Sequence, residues 1–115
     1  MQQINGRTCV YLINKPNLFL MRQRSFDFIQ DPGHGWIKVS MSFLADLFGP
    51  RWRSHFTCCS YEKGGFVYLE EDLDATTFIN RLKEKDISFK FRDRSCDTRY
   101  SRVRNYSPLA PIDHD

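Results

Sequence analysis

Apolar and polar positions follow short, legible periods from Ser25 onward. Phe26, Phe28 and Gln30 alternate with Asp27 and Ile29, which predicts a strand. Asp31-Pro32-Gly33-His34-Gly35 breaks the pattern and Trp36-Ile37-Lys38-Val39 resumes it, so two strands are joined by a tight loop. Proline presets φ in such a loop, and each glycine allows positive φ. Ser40 then offers a capping hydroxyl, and Met41, Leu44, Ala45 and Phe48 recur at the spacing of one helical face. Gly49 as a left-handed cap, followed by Pro50, ends this short helix.

His55–Tyr61 and Phe66–Leu69 flank Glu62-Lys63-Gly64-Gly65 and read as a β-hairpin with glycines at the turn. The next helix has the fullest set of signals. Asp74 is its expected N-cap, Leu73 and Phe78 take the two positions of a hydrophobic staple, and Ala75, Phe78, Ile79 and Leu82 line one face. Glu70, Glu71 and Asp72 lie near its positive end and Lys83 and Lys85 near its negative end. Ile87, Phe89 and Phe91 then alternate with Ser88, Lys90 and Arg92 as a strand with one wet face, and Arg99–Tyr106 alternates loosely as a last edge strand.

Before residue 25, Cys9–Ile13 reads as a short strand ended by the turn cluster Asn14-Lys15-Pro16-Asn17, and Leu18–Met21 is a second apolar run. The plan is an N-terminal strand or arm over residues 1–24, an α+β domain over 25–106 and a flexible tail over 107–115. From Trp36 the order β-α-β-β-α-β matches the split arrangement of ferredoxin-like folds, with an extra strand in front. The expected architecture is an antiparallel-rich sheet with two helices on one face.

Composition adds constraints. In 115 residues, 15% aromatic content gives a short chain enough buried ring area for a core, and 27% charged residues are interspersed rather than blocked, as in folded chains. The charge of +3 is too small to announce a nucleic-acid protein and the wrong sign for an acidic mimic. Met1–Gly6 is polar and predicts no secretory leader, so Cys9, Cys58, Cys59 and Cys96 are expected as buried or half-buried free thiols in a reducing compartment. No Cys-x-x-Cys occurs, no zinc-like spacing accompanies His55, and no apolar run approaches membrane-spanning length. Neither metal nor cofactor is implied.

Three stretches taken together carry a resemblance: Asp31-Pro32-Gly33-His34-Gly35-Trp36 with Val39, Tyr68-Leu69-Glu70-Glu71-Asp72 with Asp74 and Phe78, and Ser101-Arg102-Val103-Arg104 with Tyr106. Over roughly residues 26–106 the chain resembles a family of small proteins encoded by bacteriophages and other mobile elements of bacteria. The resemblance implies a viral accessory protein acting in a bacterial cytoplasm, and it implies no substrate, cofactor or catalytic residue. The N-terminal segment is longer here than in that family.

Three constellations are candidates for function. The loop Gly33-His34-Gly35-Trp36 presents an accessible imidazole that, with Glu70, Glu71 and Asp72, is a candidate for a hydrolase-type centre. Residues 81–104 carry nine Lys and Arg against four acids, with Phe89, Phe91, Tyr100 and Tyr106 interleaved. There Arg92, Arg94, Arg99, Arg102 and Arg104 are candidate phosphate contacts. Arg51-Trp52-Arg53, just after the first helix, has the residue types of a protein-binding hot spot. The leading expectation is a binder of a host protein or complex, acting as inhibitor or modulator. Nucleic-acid binding is the alternative, and catalysis comes third.

Overall fold

The computed structural model describes residues 2–5, 8–11, 23–94 and 102–110, with the backbone alone for 2–5 and 8–11. The strands are β1 (Gln2–Asn5), β2 (Thr8–Tyr11), β3 (Arg24–Gln30), β4 (Gly35–Ser40), β5 (Tyr61–Lys63), β6 (Phe66–Glu70), β7 (Phe89–Asp93) and β8 (Ser107–Pro108). Two helices, α1 (Met41–Phe48) and α2 (Asp74–Glu84), join them, with 3-10 turns at Trp52–His55 and Arg102–Asn105. The protein is α+β. The described strands form one sheet in the order β1-β2-β7-β3-β4-β6-β5-β8, antiparallel throughout except between β3 and β7.

Local chemistry explains several elements. Ser40 Oγ accepts the Phe43 amide at 3.1 Å and starts α1. Gly49 ends it with φ of 93° and donates its amide to Ala45 O, although its extended ψ of −178° is not that of a left-handed helical cap. Gly64 and Gly65 both have positive φ, as a two-residue hairpin turn of type I′ requires, and this sets the Lys63↔Phe66 register.

Alternation along the strands sorts the side chains onto two faces. Phe26, Ile37, Val39, Val67, Leu69 and Phe89 point toward the helices, where Leu44, Leu47, Ala75, Phe78 and Leu82 close the main core. Trp36 and Tyr68 point the other way and carry a smaller cluster with Val103, bordered by Ile29, Tyr61 and Tyr106. Both helices therefore cover one face, and the 3-10 turn after residue 101 partly covers the other.

Several expectations are corrected. In a ferredoxin-like sheet the first and last strands of the β-α-β-β-α-β unit are neighbours. Here β3 lies between β4 and β7, pairing antiparallel with one and parallel with the other. His55–Ser60 is not strand, because Thr57 and Ser60 turn inward to the Asp74 carboxylate. That group accepts the Thr57 amide at 3.0 Å, the Thr57 hydroxyl at 2.9 Å and the Ser60 hydroxyl. Asp74 is thus the first residue of α2 and an anchor for a distant loop rather than its cap, and Leu73 is 54% exposed and forms no staple.

Cys58 and Cys59 are exposed on that same loop, not buried. The expected edge strand at Arg99–Tyr106 is, over Arg102–Asn105, a 3-10 turn. Ser107–Ala110, expected as part of a flexible tail, is held in place: β8 pairs with β5, Leu109 is 3% exposed, and Ala110 N–H donates to Glu62 Oε2 at 2.7 Å. Burial works against ionisation of Glu62, but the Arg53 guanidinium and the Ala110 amide outweigh it and hold the carboxyl below its usual range. The second apolar run, Leu18–Met21, lies outside the described residues.

Burial, aided by the Tyr106 ring and hydroxyl and by the Asp27 charge, pushes the Tyr68 phenol from 10 up to about 12. A raised folded-state value means the neutral phenol stabilises fully below pH 10 and loses that contribution as the pH climbs toward 12. Urea unfolding measured at stepped pH should show an alkaline decline of up to about 2–3 kcal/mol. Tyr68→Phe should flatten that decline while leaving the neutral-pH fold intact.

Candidate functional site

Two depressions on the molecule gather the candidate residues. The first follows from the strand pairing. The β3–β4 ladder runs from Gln30↔Gly35 only as far as Asp27↔Lys38. β4 stays paired with β6 to Ser40↔Phe66, and β3 with β7 from Arg24↔Phe89. Where β3 and β4 part, an open groove of about 580 Å³ forms, lined by Arg24, Ser25, Asp27, Lys38, Ser40, Phe43, Phe66 and Arg92 among others.

Cations and rings are already paired there. The Arg24 guanidinium lies 5.0 Å from the Phe43 ring centre and the Lys38 ammonium 4.4 Å from that of Phe66. Arg92 Nε donates to Asp27 Oδ1 at 2.9 Å, and Arg94 Nε lies 3.6 Å from the same oxygen, with half or more of each arginine side chain exposed. One carboxylate shared by two guanidiniums leaves positive charge to spare. Arg24, Lys38 and Phe66 were not singled out from sequence, because only the strand order brings them beside Arg92. A lysine within the otherwise apolar Trp36-Ile37-Lys38-Val39 run was the available signal.

The second depression is an open cleft of about 400 Å³ lined by His34, Trp36, Cys59, Tyr61, Glu70, Asp72, Leu73 and Arg104. His34, Glu70 and Asp72 therefore do converge, as a hydrolase-type centre would need. No hydrogen bond orients the His34 ring among the described residues, and none links it to Cys59. Among the described residues no group of three or more His, Cys, Asp and Glu side chains is placed to hold a metal ion.

The loop that presents His34 is built around Asp31. Its Oδ1 accepts the Gly33 and His34 amides at 3.0 Å each, and its own amide donates to His34 O at 2.9 Å. Arg104 closes on the same carboxylate with two bonds, Nε to Oδ2 at 2.8 Å and Nη2 to Oδ1 at 2.9 Å, and the Asp31 side chain is wholly buried. Neither Gly33 nor Gly35 has positive φ. Glycine is needed there for space: a Cβ on Gly33 would stand 2.8 Å from Arg104 Nη2, and one on Gly35 would stand 2.6 Å from Phe28 Cζ.

The remaining candidates scatter. Trp52 is 7% exposed and part of the main core. Arg53 stacks on it at 4.5 Å and bonds Glu62 at 3.1 Å, which leaves Arg51 alone exposed in that trio. Arg102 is exposed at the start of its turn, and Arg99 lies outside the described residues. Arg104 is bonded to Asp31 through Nε and Nη2.

Arg104→Met should cost about 3–5 kcal/mol in urea unfolding, because it strands a buried carboxylate, and the Asp31→Asn/Arg104→Met pair should cost less than the sum of the singles. Gly35→Ala should cost about 1–3 kcal/mol through displacement of the Phe28 ring, read as a shifted denaturation midpoint. Compared with family models, curated proteins and solved structures, the chain matches none.

Proposed function

We propose that the protein binds single-stranded nucleic acid along the groove between β3 and β4, as an accessory protein of a bacteriophage or mobile element acting in a bacterial cytoplasm. The observation that carries this reading is one groove lined by Arg24, Lys38 and Arg92, a single acid at Asp27, and the rings of Phe43 and Phe66. Phosphates are attracted by guanidinium and ammonium groups, and an unpaired base gains by stacking on an exposed ring. Phe66 is 37% exposed, the one exposed Phe, Tyr or Trp ring among the described residues, so it is the natural stacking surface.

The sheet supports an extended ligand. Tyr68, Lys38, Asp27 and Arg92 occupy one row across β6, β4, β3 and β7, so polar groups of alternating kind lie at the strand spacing of about 4.8 Å. Lys90, two residues before Arg92 on β7, adds a further cation to the same face. Of the patch expected to meet a host protein, Trp52 is in the core and Arg53 is held by Glu62, while Arg51 is exposed.

Fluorescence anisotropy with a labelled oligothymidine tests the proposal. Affinity should fall steeply with salt, with a log–log slope of about −2 to −3 for three phosphate contacts on a single strand. Arg92→Ala and Lys38→Ala should each flatten the slope by roughly one contact, and Phe66→Ala should weaken binding by about 1–3 kcal/mol with the slope unchanged. Binding that ignores salt, or that survives all three substitutions, would sink this reading.

A further inference from the structure

We infer, resting on the nucleic-acid reading of the groove between β3 and β4, that Asp27 makes this groove select guanine among the unpaired bases of the bound strand. A carboxylate is out of place on a surface that only holds phosphates, because it repels them. Phosphate contacts position a strand, whereas a fixed acceptor is of use against the edge of a base. Asp27 Oδ1 accepts from Arg92 Nε at 2.9 Å and lies 3.6 Å from Arg94 Nε. Oδ2 accepts no hydrogen bond among the described residues, and it is not among the buried atoms, so it is open to solvent. One oxygen holds the arginines and the other faces a ligand.

The neighbours of Asp27 define which base fits. Lys38 stands directly opposite it in the β3–β4 register, on the same face, and the Lys38 ammonium lies 4.4 Å from the centre of the Phe66 ring. A base stacked at Phe66 therefore meets two fixed groups at its edge, an acceptor in Asp27 and a donor in Lys38. Guanine carries the complement on its pairing edge, where O6 accepts while N1–H and the N2 amino group donate side by side. Adenine and cytosine set one amino donor beside a bare ring nitrogen, which repels a carboxylate. Thymine and uracil hold a single N–H between two carbonyls. Hydrogen bonds to an ionised acceptor are the stronger kind, so two adjacent donors distinguish guanine sharply from the rest.

The test is fluorescence anisotropy of the full-length chain, at one salt concentration, with a labelled oligothymidine of about twelve nucleotides. Four further oligomers carry a single central guanine, hypoxanthine, adenine or cytosine in place of thymine. The guanine oligomer should bind about tenfold more tightly than oligothymidine, with adenine and cytosine close to thymine. Hypoxanthine, which keeps O6 and N1–H but lacks the N2 amino group, should fall between. Asp27→Asn should bring the guanine and thymine oligomers to equal affinity, and a ratio taken within one variant is unaffected by any general gain from the freed arginines. Equal binding of all five oligomers by the native chain would overturn guanine selection and leave the groove reading standing. Failure to bind any of them would overturn both. A guanine preference that persists in Asp27→Asn would overturn the role given to Asp27.

Discussion

The Asp31–Arg104 pair ties the molecule together. It joins the loop between the first two strands of the domain to a turn near its C-terminal end, with the carboxylate fully buried and accepting from the Gly33 and His34 amides and the Arg104 guanidinium. A charge in that position is tolerable only while every one of those donors is in place. The loop therefore cannot relax without releasing Arg104, and the turn at 102–105 cannot leave the sheet without exposing Trp36 and Tyr68, on which Val103 rests. Two features that look like separate motifs are one structural unit.

Asp74 plays the equivalent part on the other side of the cleft. By drawing in Thr57 and Ser60 it folds the loop carrying Cys58 and Cys59 against the start of α2. Ser60 in turn accepts the Glu70 amide at 2.9 Å, which fixes the end of β6. The walls of the cleft are thus set by two buried carboxylates, Asp31 and Asp74. The basic groove has a different origin, the early end of a strand ladder.

What could be read from the sequence was what depends on near neighbours. The periods at Phe26–Gln30 and Met41–Phe48, the serine cap at Ser40, and the paired glycines at Gly64 and Gly65 each report a geometry completed within a few residues. What could not be read depends on partners far along the chain. The insertion of β3 between β4 and β7, the inward turn of Thr57 toward Asp74, and the seat of Leu109 are examples. The candidate site divides in the same way. His34, Trp36 and the acids were visible as chemistry, but their meeting with Arg104, and that of Arg92 with Lys38 and Phe66, waited on the strand order. Gly33 and Gly35 were noticed for turn freedom and turned out to matter for clearance.

The parallel pairing of β3 with β7 constrains how the chain reaches this state. Asp27 and Arg92, bonded across that pair, are 65 positions apart, and nearly all of the domain is made between them. Long-range pairings of this kind raise contact order and slow folding. On a ribosome, β3 emerges early and must keep an unsatisfied edge until β7 follows it out. The hairpin of β1 and β2, which joins the sheet through β7, must wait as well. Nascent chains halted before Phe89 should therefore expose a sticky strand edge, making the interval before β7 arrives the period of greatest aggregation risk.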